Sequence, residues 1–219
     1  MKYILITGVS RGMGKAFAEK FLSEDWKVIG TSTSGKSSIE NEKLQVYRLD
    51  ISSPESIEAF GQEIKKTGDK IDVLINNAGI YLGKDTFPME RNVLQKTLDV
   101  NLIGLIDLTE KIIPVINNDG GHIVNMSSGL GVNSDFVGSD TPSYRISKVG
   151  VNMFTRTLAQ ELKGRGITVS SFNPGWVRTD MGGADAPREP YEVAEEIYKL
   201  ATSQVDSGYF WHQGKKIPW

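Results

Sequence analysis

No cysteine occurs among the 219 residues of the chain, which excludes disulfides, thiolate-ligated zinc and thiol nucleophiles together. Histidine is nearly as scarce: His122 and His212 stand far apart, with no carboxylates clustered beside them, so no metal site is expected. Charge of one sign is missing too. The 25 Lys and Arg against 27 Asp and Glu leave a net charge of −2, which gives no pull towards nucleic acid or an anionic membrane. The basic residues are scattered, not striped, and no nucleic-acid partner is expected. No apolar stretch approaches membrane-spanning length, and the opening MKYILITG holds too short an apolar run for a signal-peptide core. A cytoplasmic location with no membrane partner is the expectation.

What is present is an ordinary globular balance, 39% hydrophobic and 24% charged, in a length that suits one domain over residues 1–219. Apolar runs at residues 3–6, 28–30, 46–49, 73–75, 122–126 and 168–172 read as buried strands, with a last short one over 208–211. Between them, residues 15–22, 56–66, 93–116, 143–162 and 193–201 carry apolar side chains at helical spacing. The alternation predicts an α/β fold, a doubly wound, mostly parallel sheet of about seven strands with helices on both faces. Such sheets bind ligands beyond the carboxyl ends of their strands, so the loops after strands are where chemistry belongs.

The first of those loops reads Thr7-Gly8-Val9-Ser10-Arg11-Gly12-Met13-Gly14 and opens at once into a helix. Glycines let the chain turn tightly and bring backbone N–H groups close to a pyrophosphate, and the helix N-terminus adds free donors. A glycine-rich turn alone serves many folds; its place between the first strand and a helix makes this one a Rossmann-type dinucleotide site. The glycines at 8, 12 and 14 leave three residues and then one between them. That spacing resembles the short-chain dehydrogenase/reductase family. A site for NAD usually ends its second strand with a carboxylate for the ribose 2′-OH, whereas this chain reads Thr31-Ser32-Thr33-Ser34-Gly35-Lys36. The hydroxyls of Ser32, Thr33 and Ser34, with Arg11 beside the turn, favour NADP(H) over NAD(H), and the resemblance associates an arginine at that place with NADP. Lys36 is either a second contact or a solvated loop lysine.

Tyr144 and Lys148 stand four apart in a helical pattern, so phenol and ammonium project from one face. An ammonium beside a phenol favours the phenolate and should bring its pKa below the ordinary value of about 10. The strand before them ends Val124-Asn125-Met126-Ser127-Ser128. The resemblance implies that Ser128 holds a substrate carbonyl oxygen while Tyr144 passes the proton, with Ser127 the neighbouring alternative. It also implies that Lys148 bonds the nicotinamide ribose and that Asn101 holds a water next to Lys148. Asparagine is a poor helix former, so a local bend is expected at Asp99-Val100-Asn101-Leu102-Ile103-Gly104. The interval from Ser128 to Tyr144 exceeds the commonest family spacing, which implies a longer loop over the substrate.

Further motifs follow in the family's order. The resemblance implies that Asp50 and Ile51 contact adenine, that Asn77, Ala78 and Gly79 approach the cofactor, and that Asn76 braces the sheet. In Pro174-Gly175-Trp176-Val177-Arg178-Thr179-Asp180 it implies a segment over the nicotinamide, with Pro174 and Gly175 beside it, Val177 bonding the carboxamide and Thr179 reaching the pyrophosphate. The phosphate turn contributes Gly8, Ser10, Arg11, Gly12, Met13 and Gly14, with Thr33 across from it. Residues 180–192 would cover the substrate, and their shortness implies an open, permissive site. Trp176, Phe136, Tyr81 and Met181 are bulky candidates for its lining.

The implied activity is hydride transfer between NADP(H) and a small to medium carbonyl or alcohol substrate, of the carbonyl reductase type. Two alternatives stay open: a 3-oxoacyl thioester reductase of fatty-acid synthesis, and an NADP(H)-binding regulator without turnover. Sugar-nucleotide epimerases share the Tyr/Lys pair but carry a larger carboxyl-terminal domain. The helices holding Asn101 and Tyr144 commonly build dimers and tetramers in the family, so a homo-oligomer is the expectation.

Overall fold

A strand buried on both faces has no polar side to alternate with its apolar one, and β1 (Tyr3–Thr7) is such a strand: Ile4, Leu5 and Ile6 are fully buried. The computed structural model describes residues 1–83, 85–132 and 138–219. It places β1 in one sheet with β2 (Lys27–Ser32), β3 (Leu44–Arg48), β4 (Val73–Asn76), β5 (His122–Met126), β6 (Thr168–Phe172), β7 (Tyr209–His212) and β8 (Lys215–Ile217). The spatial order is β3-β2-β1-β4-β5-β6-β7-β8. Every neighbouring pair is parallel except β7 with β8. The chain leaves β1 for β2 and β3 and then returns to β4 on the other edge of β1. A crevice therefore opens where the carboxyl ends of β1 and β4 part.

Among the described residues six α-helices flank the sheet: α1 (Gly12–Ser23), α2 (Pro54–Thr67), α3 (Arg91–Leu98), α4 (Gly104–Ile112), α5 (Pro142–Glu161) and α6 (Pro190–Thr202). Successive strand side chains point to opposite faces, which divides the core in two. Ile4, Ile6, Val73, Ile75 and Val124 pack with Phe17 and Phe21 of α1 and Ile197 of α6. Leu5, Leu74, Ile123 and Val169 pack with Ile57, Phe60 and Ile64 of α2, Leu108 of α4 and Leu158 of α5. Each fully buried aromatic or aliphatic side chain contributes roughly 1.5–3 kcal/mol. Local signals agree with the packing. Ser53 caps α2 by accepting the Ser56 N–H, Pro54 fills its first turn, and Gly68 ends it in a left-handed conformation.

The expected doubly wound, mostly parallel sheet is present, and among the described residues an eighth strand is added to it because the chain turns back after β7 through Gln213 and Gly214, both with positive φ. This is the two-residue turn that suits the twist of a hairpin. The helix expected over 93–116 is interrupted. Residues Asp99–Ile103 form a wide π-turn, closed by the Gly104 N–H on the Asp99 carbonyl, and a short 3-10 turn, Ile113–Val115, follows α4. The bend falls at Asn101, as its helix-averse side chain suggested, and a close contact sits beside it. A Cβ on Gly104 would stand 1.9 Å from the Ile51 carbonyl oxygen, so α4 lies directly against the loop after β3.

Gly104→Ala is expected to lower stability by about 2 kcal/mol or more, although alanine favours an isolated helix by about 1 kcal/mol. Urea unfolding of the two proteins checks this, and an unchanged or raised midpoint would show that α4 does not depend on that contact.

Candidate active site

The crevice is built from β1 outward. The Thr31 carbonyl accepts the N–H groups of Gly8 and Val9, both at 2.9 Å, which fixes the turn after β1 to β2. On the other side, the Thr7 hydroxyl accepts the N–H groups of Asn77 (2.9 Å) and Ala78 (2.8 Å). Asn77 Nδ2 returns a bond to the Thr7 carbonyl at 2.8 Å. A Cβ on Gly14 would meet the Gly8 carbonyl oxygen at 2.1 Å and Asn77 Nδ2 at 2.5 Å, so only glycine lets α1 start this close to the strand ends.

Around this turn lies a cavity of about 330 Å³. The glycine turn supplies Gly8, Ser10, Arg11, Gly12, Met13 and Gly14; the end of β2 supplies Thr31, Ser32 and Thr33; Leu49, Asp50 and Ile51 follow β3. Asn77, Ala78, Gly79 and Ile80 follow β4, Val100 reaches in from the π-turn, and Thr179, Asp180 and Met181 close the far side. Most residues expected at the cofactor thus meet in one place. Thr31, Leu49, Ile80 and Val100 were not anticipated, being ordinary residues whose only distinction is where the strands end. Pro174, Gly175, Val177, Tyr144 and Lys148 do not border this cavity. Val177 is buried in the core and bridges to Arg188, while the Pro174 carbonyl accepts from Arg188. Lys36 is exposed, with its backbone tied to the Ser32 hydroxyl. Asp50 accepts the N–H and the hydroxyl of Ser52, and these bonds lower its pKa. The cavity fits a dinucleotide: a cradle that any side chain at residue 14 would fill, one arginine, hydroxyls at the end of β2, and no carboxylate there.

Beyond the carboxyl end of β5 stand the groups able to move a proton. The Ser128 hydroxyl stands near enough to the Tyr144 phenol to favour its phenolate and accepts the Leu130 N–H at 3.1 Å. Ser127 is buried and turns its hydroxyl to the Lys148 carbonyl at 3.3 Å, so Ser128 is the serine that faces Tyr144. Lys148 is buried, its Nζ donating to the Met126 carbonyl at 2.9 Å and lying 5.4 Å from the centre of the Tyr144 ring. Asn101 is buried and tied to α5 through Ser147. Its Oδ1 accepts the Ile80 N–H (2.7 Å), and its Nδ2 donates to the Ile80 carbonyl (2.9 Å) and to Ser147 Oγ (3.3 Å). Asn76 braces the sheet by donating to Thr109 and Asn125, both at 2.8 Å.

The expected effect of the lysine on the tyrosine is corrected. Burial pushes the Tyr144 phenol up to about 12, against a smaller lowering by the Ser128 hydroxyl. Burial also brings Lys148 down to about 8. The ammonium points at the Met126 carbonyl instead of the phenol oxygen and is itself costly to keep charged in this interior.

Tyr81 sets its ring edge-on to Tyr144 at 5.5 Å. Trp176 and Met181 are exposed, the indole N–H of Trp176 donating to the Gly182 carbonyl at 2.7 Å. Phe136 lies outside the described residues. The histidines are engaged locally, His122 with the Ser170 hydroxyl and His212 with the Asn173 carbonyl.

The chain is similar to known proteins in sequence and in fold. The family described as short chain dehydrogenase matches residues 2–190. The 3-oxoacyl-acyl-carrier-protein reductase FabG of Vibrio cholerae is 33% identical over 93% of this chain and 91% of its own length. Among solved structures, the NADPH-bound carbonyl reductase from chicken fatty liver superposes with a TM-score of 0.90 at 26% identity, over 100% of this chain and 94% of that one. A short-chain dehydrogenase/reductase from Burkholderia multivorans with bound NADP gives 0.89 at 27%, over 100% of this chain and 99% of that one.

The shifted pKa of Lys148 has a consequence for stability. Between about pH 8 and 10.5 the unfolded chain keeps a proton on Lys148 that the folded chain has released, so stability rises with pH across that window. Lys148→Met should remove the rise and stabilise the protein at neutral pH, by on the order of 3 kcal/mol. Urea midpoints measured from neutral pH to about pH 10 test it; equal slopes in the two proteins would mean that the buried ammonium carries no such cost.

Proposed function

The chain belongs to the short-chain dehydrogenase family, and from that premise we propose that it is an NADP(H)-dependent oxidoreductase that reduces the carbonyl of a small or medium aldehyde or ketone to the alcohol. The observation that carries the reading is the gathering of the Ser128 hydroxyl, the Tyr144 phenol and the buried Lys148, whose Nζ lies 5.4 Å from the centre of the tyrosine ring, beyond the end of β5. Two hydroxyls held together form a cradle for one carbonyl oxygen. Ser128, fixed by the Leu130 N–H, holds that oxygen. Tyr144 remains protonated throughout the neutral range because of its burial, so it is the donor in the reducing direction. The bound nicotinamide supplies the hydride, chemistry that belongs to the cofactor.

Gly8, Ser10, Arg11, Gly12, Met13, Gly14 and Thr33 hold the phosphates, Asp50 and Ile51 the adenine, and Asn77, Ala78, Gly79 and Thr179 the stretch towards the ribose. Pro174, Gly175 and Val177 shape the segment over the nicotinamide from behind. Lys148, about half charged near its lowered pKa, exchanges a proton readily and bonds the ribose. Asn101 uses both amide hydrogens on Ile80 and Ser147 and keeps one lone pair of Oδ1 for a water beside Lys148. The lack of a carboxylate at the end of β2, with Arg11 and the hydroxyls there, supports NADP(H) over NAD(H). Residues 180–192 cover the substrate, and the exposed Trp176 and Met181 with the edge of Tyr81 give its site an apolar, open wall. Reduction of a 3-oxoacyl thioester is the second reading, favoured by the sequence likeness to FabG.

Exposed apolar side chains also mark a face for a second copy of the chain. Ile146, Val149 and Met153 fall on one side of α5, with Ile103 beside them, all more than 40% exposed. Their spacing of three and four residues makes a stripe that a two-fold pairing of α5 helices would bury. Met153→Asp is expected to shift the protein to monomer in light scattering after gel filtration. A wild-type protein that is already monomeric would refute the pairing.

Oxidation of NADPH and NADH is to be followed against aldehydes, ketones, quinones and 3-oxoacyl thioesters. Turnover is expected to favour NADPH, and Tyr144→Phe to lose about 10²–10⁴ of kcat while cofactor Kd stays within about twofold. Tight NADPH binding with no turnover on any substrate would point to a regulator, and activity retained by Tyr144→Phe would remove the tyrosine from the mechanism.

A further inference from the structure

Three charged side chains border the cavity among the described residues: Arg11, Asp50 and Asp180. A site for a ligand carrying several phosphates ordinarily gathers positive charge, yet this one has a single cation, and a carboxylate already faces it. Arg11 Nη1 lies 3.2 Å from Asp180 Oδ2. The two come from opposite walls, Arg11 from the turn after β1 and Asp180 from the segment after β6. The walls are close: a Cβ on Gly12 would touch Thr179 Cγ2 at 3.4 Å. Asp180 is kept there by its neighbours, since the Thr179 hydroxyl accepts the Gly182 N–H at 3.1 Å and Trp176 donates to the Gly182 carbonyl. Asp50 is engaged by Ser52 instead. Both members of the Arg11–Asp180 pair are about three-quarters exposed, so the pair is weak and exchangeable. A phosphate carries more charge than a carboxylate and accepts the guanidinium fork in two bonds.

We propose that Asp180 is a specificity-determining residue: its carboxylate competes with the 2′-phosphate of the cofactor for the Arg11 guanidinium. It thereby holds down both the affinity for NADP(H) and the margin over NAD(H). The proposal rests on the reading of Arg11 as the 2′-phosphate contact. A carboxylate waiting at the arginine also eases exchange of used cofactor, because the guanidinium passes to another anion instead of to water.

The test is a double-mutant cycle on cofactor binding, read as Kd from quenching of tryptophan fluorescence, with NADPH and NADH as probes. Asp180→Asn is expected to tighten NADPH by about threefold to fivefold and to move NADH by less than about twofold. Fivefold corresponds to about 1 kcal/mol, the upper end for an exposed pair. In an Arg11→Ala background the same substitution should change NADPH by less than about twofold. Unchanged or weaker NADPH binding in Asp180→Asn alone overturns the proposal. Equal tightening with and without Arg11 also overturns it, because plain repulsion by the carboxylate would then be the cause. If Arg11→Ala leaves NADPH binding unaltered, the reading of Arg11 itself falls and the proposal with it, an outcome separate from the loss of the Asp180 effect.

Discussion

The parting of β1 and β4 governs everything else in this molecule, and a single hydroxyl holds it. Thr7 Oγ1 accepts two consecutive backbone N–H groups, from Asn77 and Ala78, at the point where two neighbouring parallel strands send their chains in opposite directions. Without that acceptor, the Ala78 N–H would lack a partner and the Asn77 N–H would keep only the Ile75 carbonyl, at a cost of roughly 1–3 kcal/mol for the unpaired donor. With it, the turn after β1 and the loop after β4 are locked side by side, and α1 can begin at a distance only Gly14 allows. The cavity is the space left over by this arrangement. Its lining is accordingly dominated by backbone and small side chains, the surface a phosphate chain needs.

The proton-handling groups depend on a different constraint, burial. Lys148 sits in an interior that penalises its charge, with one carbonyl as its partner, while Tyr144 is discouraged from ionising by the same surroundings. The two pKa values move apart, the tyrosine up to about 12 and the lysine down to about 8, so burial makes the tyrosine a weaker acid than in water. Asn101, Ile80 and Ser147 tie the π-turn, the loop after β4 and α5 into one unit, so the floor of the dinucleotide cavity and the helix carrying Tyr144 and Lys148 share a support.

Much of this was legible in the residues. The unbroken apolar run of β1 declared a strand covered on both sides, and the spacing of Gly8, Gly12 and Gly14 declared the turn after it. The i, i+4 relation of Tyr144 and Lys148 placed both on one face of α5. What escaped did so for physical reasons. β8 was hidden because Lys215 and Lys216 are poor strand formers, and only the pairing with β7 makes them one. The π-turn was hidden because it goes with the close approach of Gly104 to Ile51, which lie far apart in the sequence. The sign of the shift at Tyr144 was misjudged because a spacing gives proximity but not depth. The Arg11–Asp180 contact joins loops after the first and sixth strands and leaves no local trace at all.

The hairpin that ends the sheet has a bearing on how the molecule keeps company. An open sheet edge offers unpaired backbone groups to any stray strand, and native proteins blunt such edges with charge. Here the outermost strand, β8, is only three residues long and presents Lys215 and Lys216 to solvent, while the opposite edge, β3, exposes Gln45 and Arg48. Two edges guarded by cations and brevity repel each other in crowded solution. Growth of the sheet from molecule to molecule is thereby discouraged, and the helical faces are left as the surfaces through which copies of the chain can meet without forming a fibre.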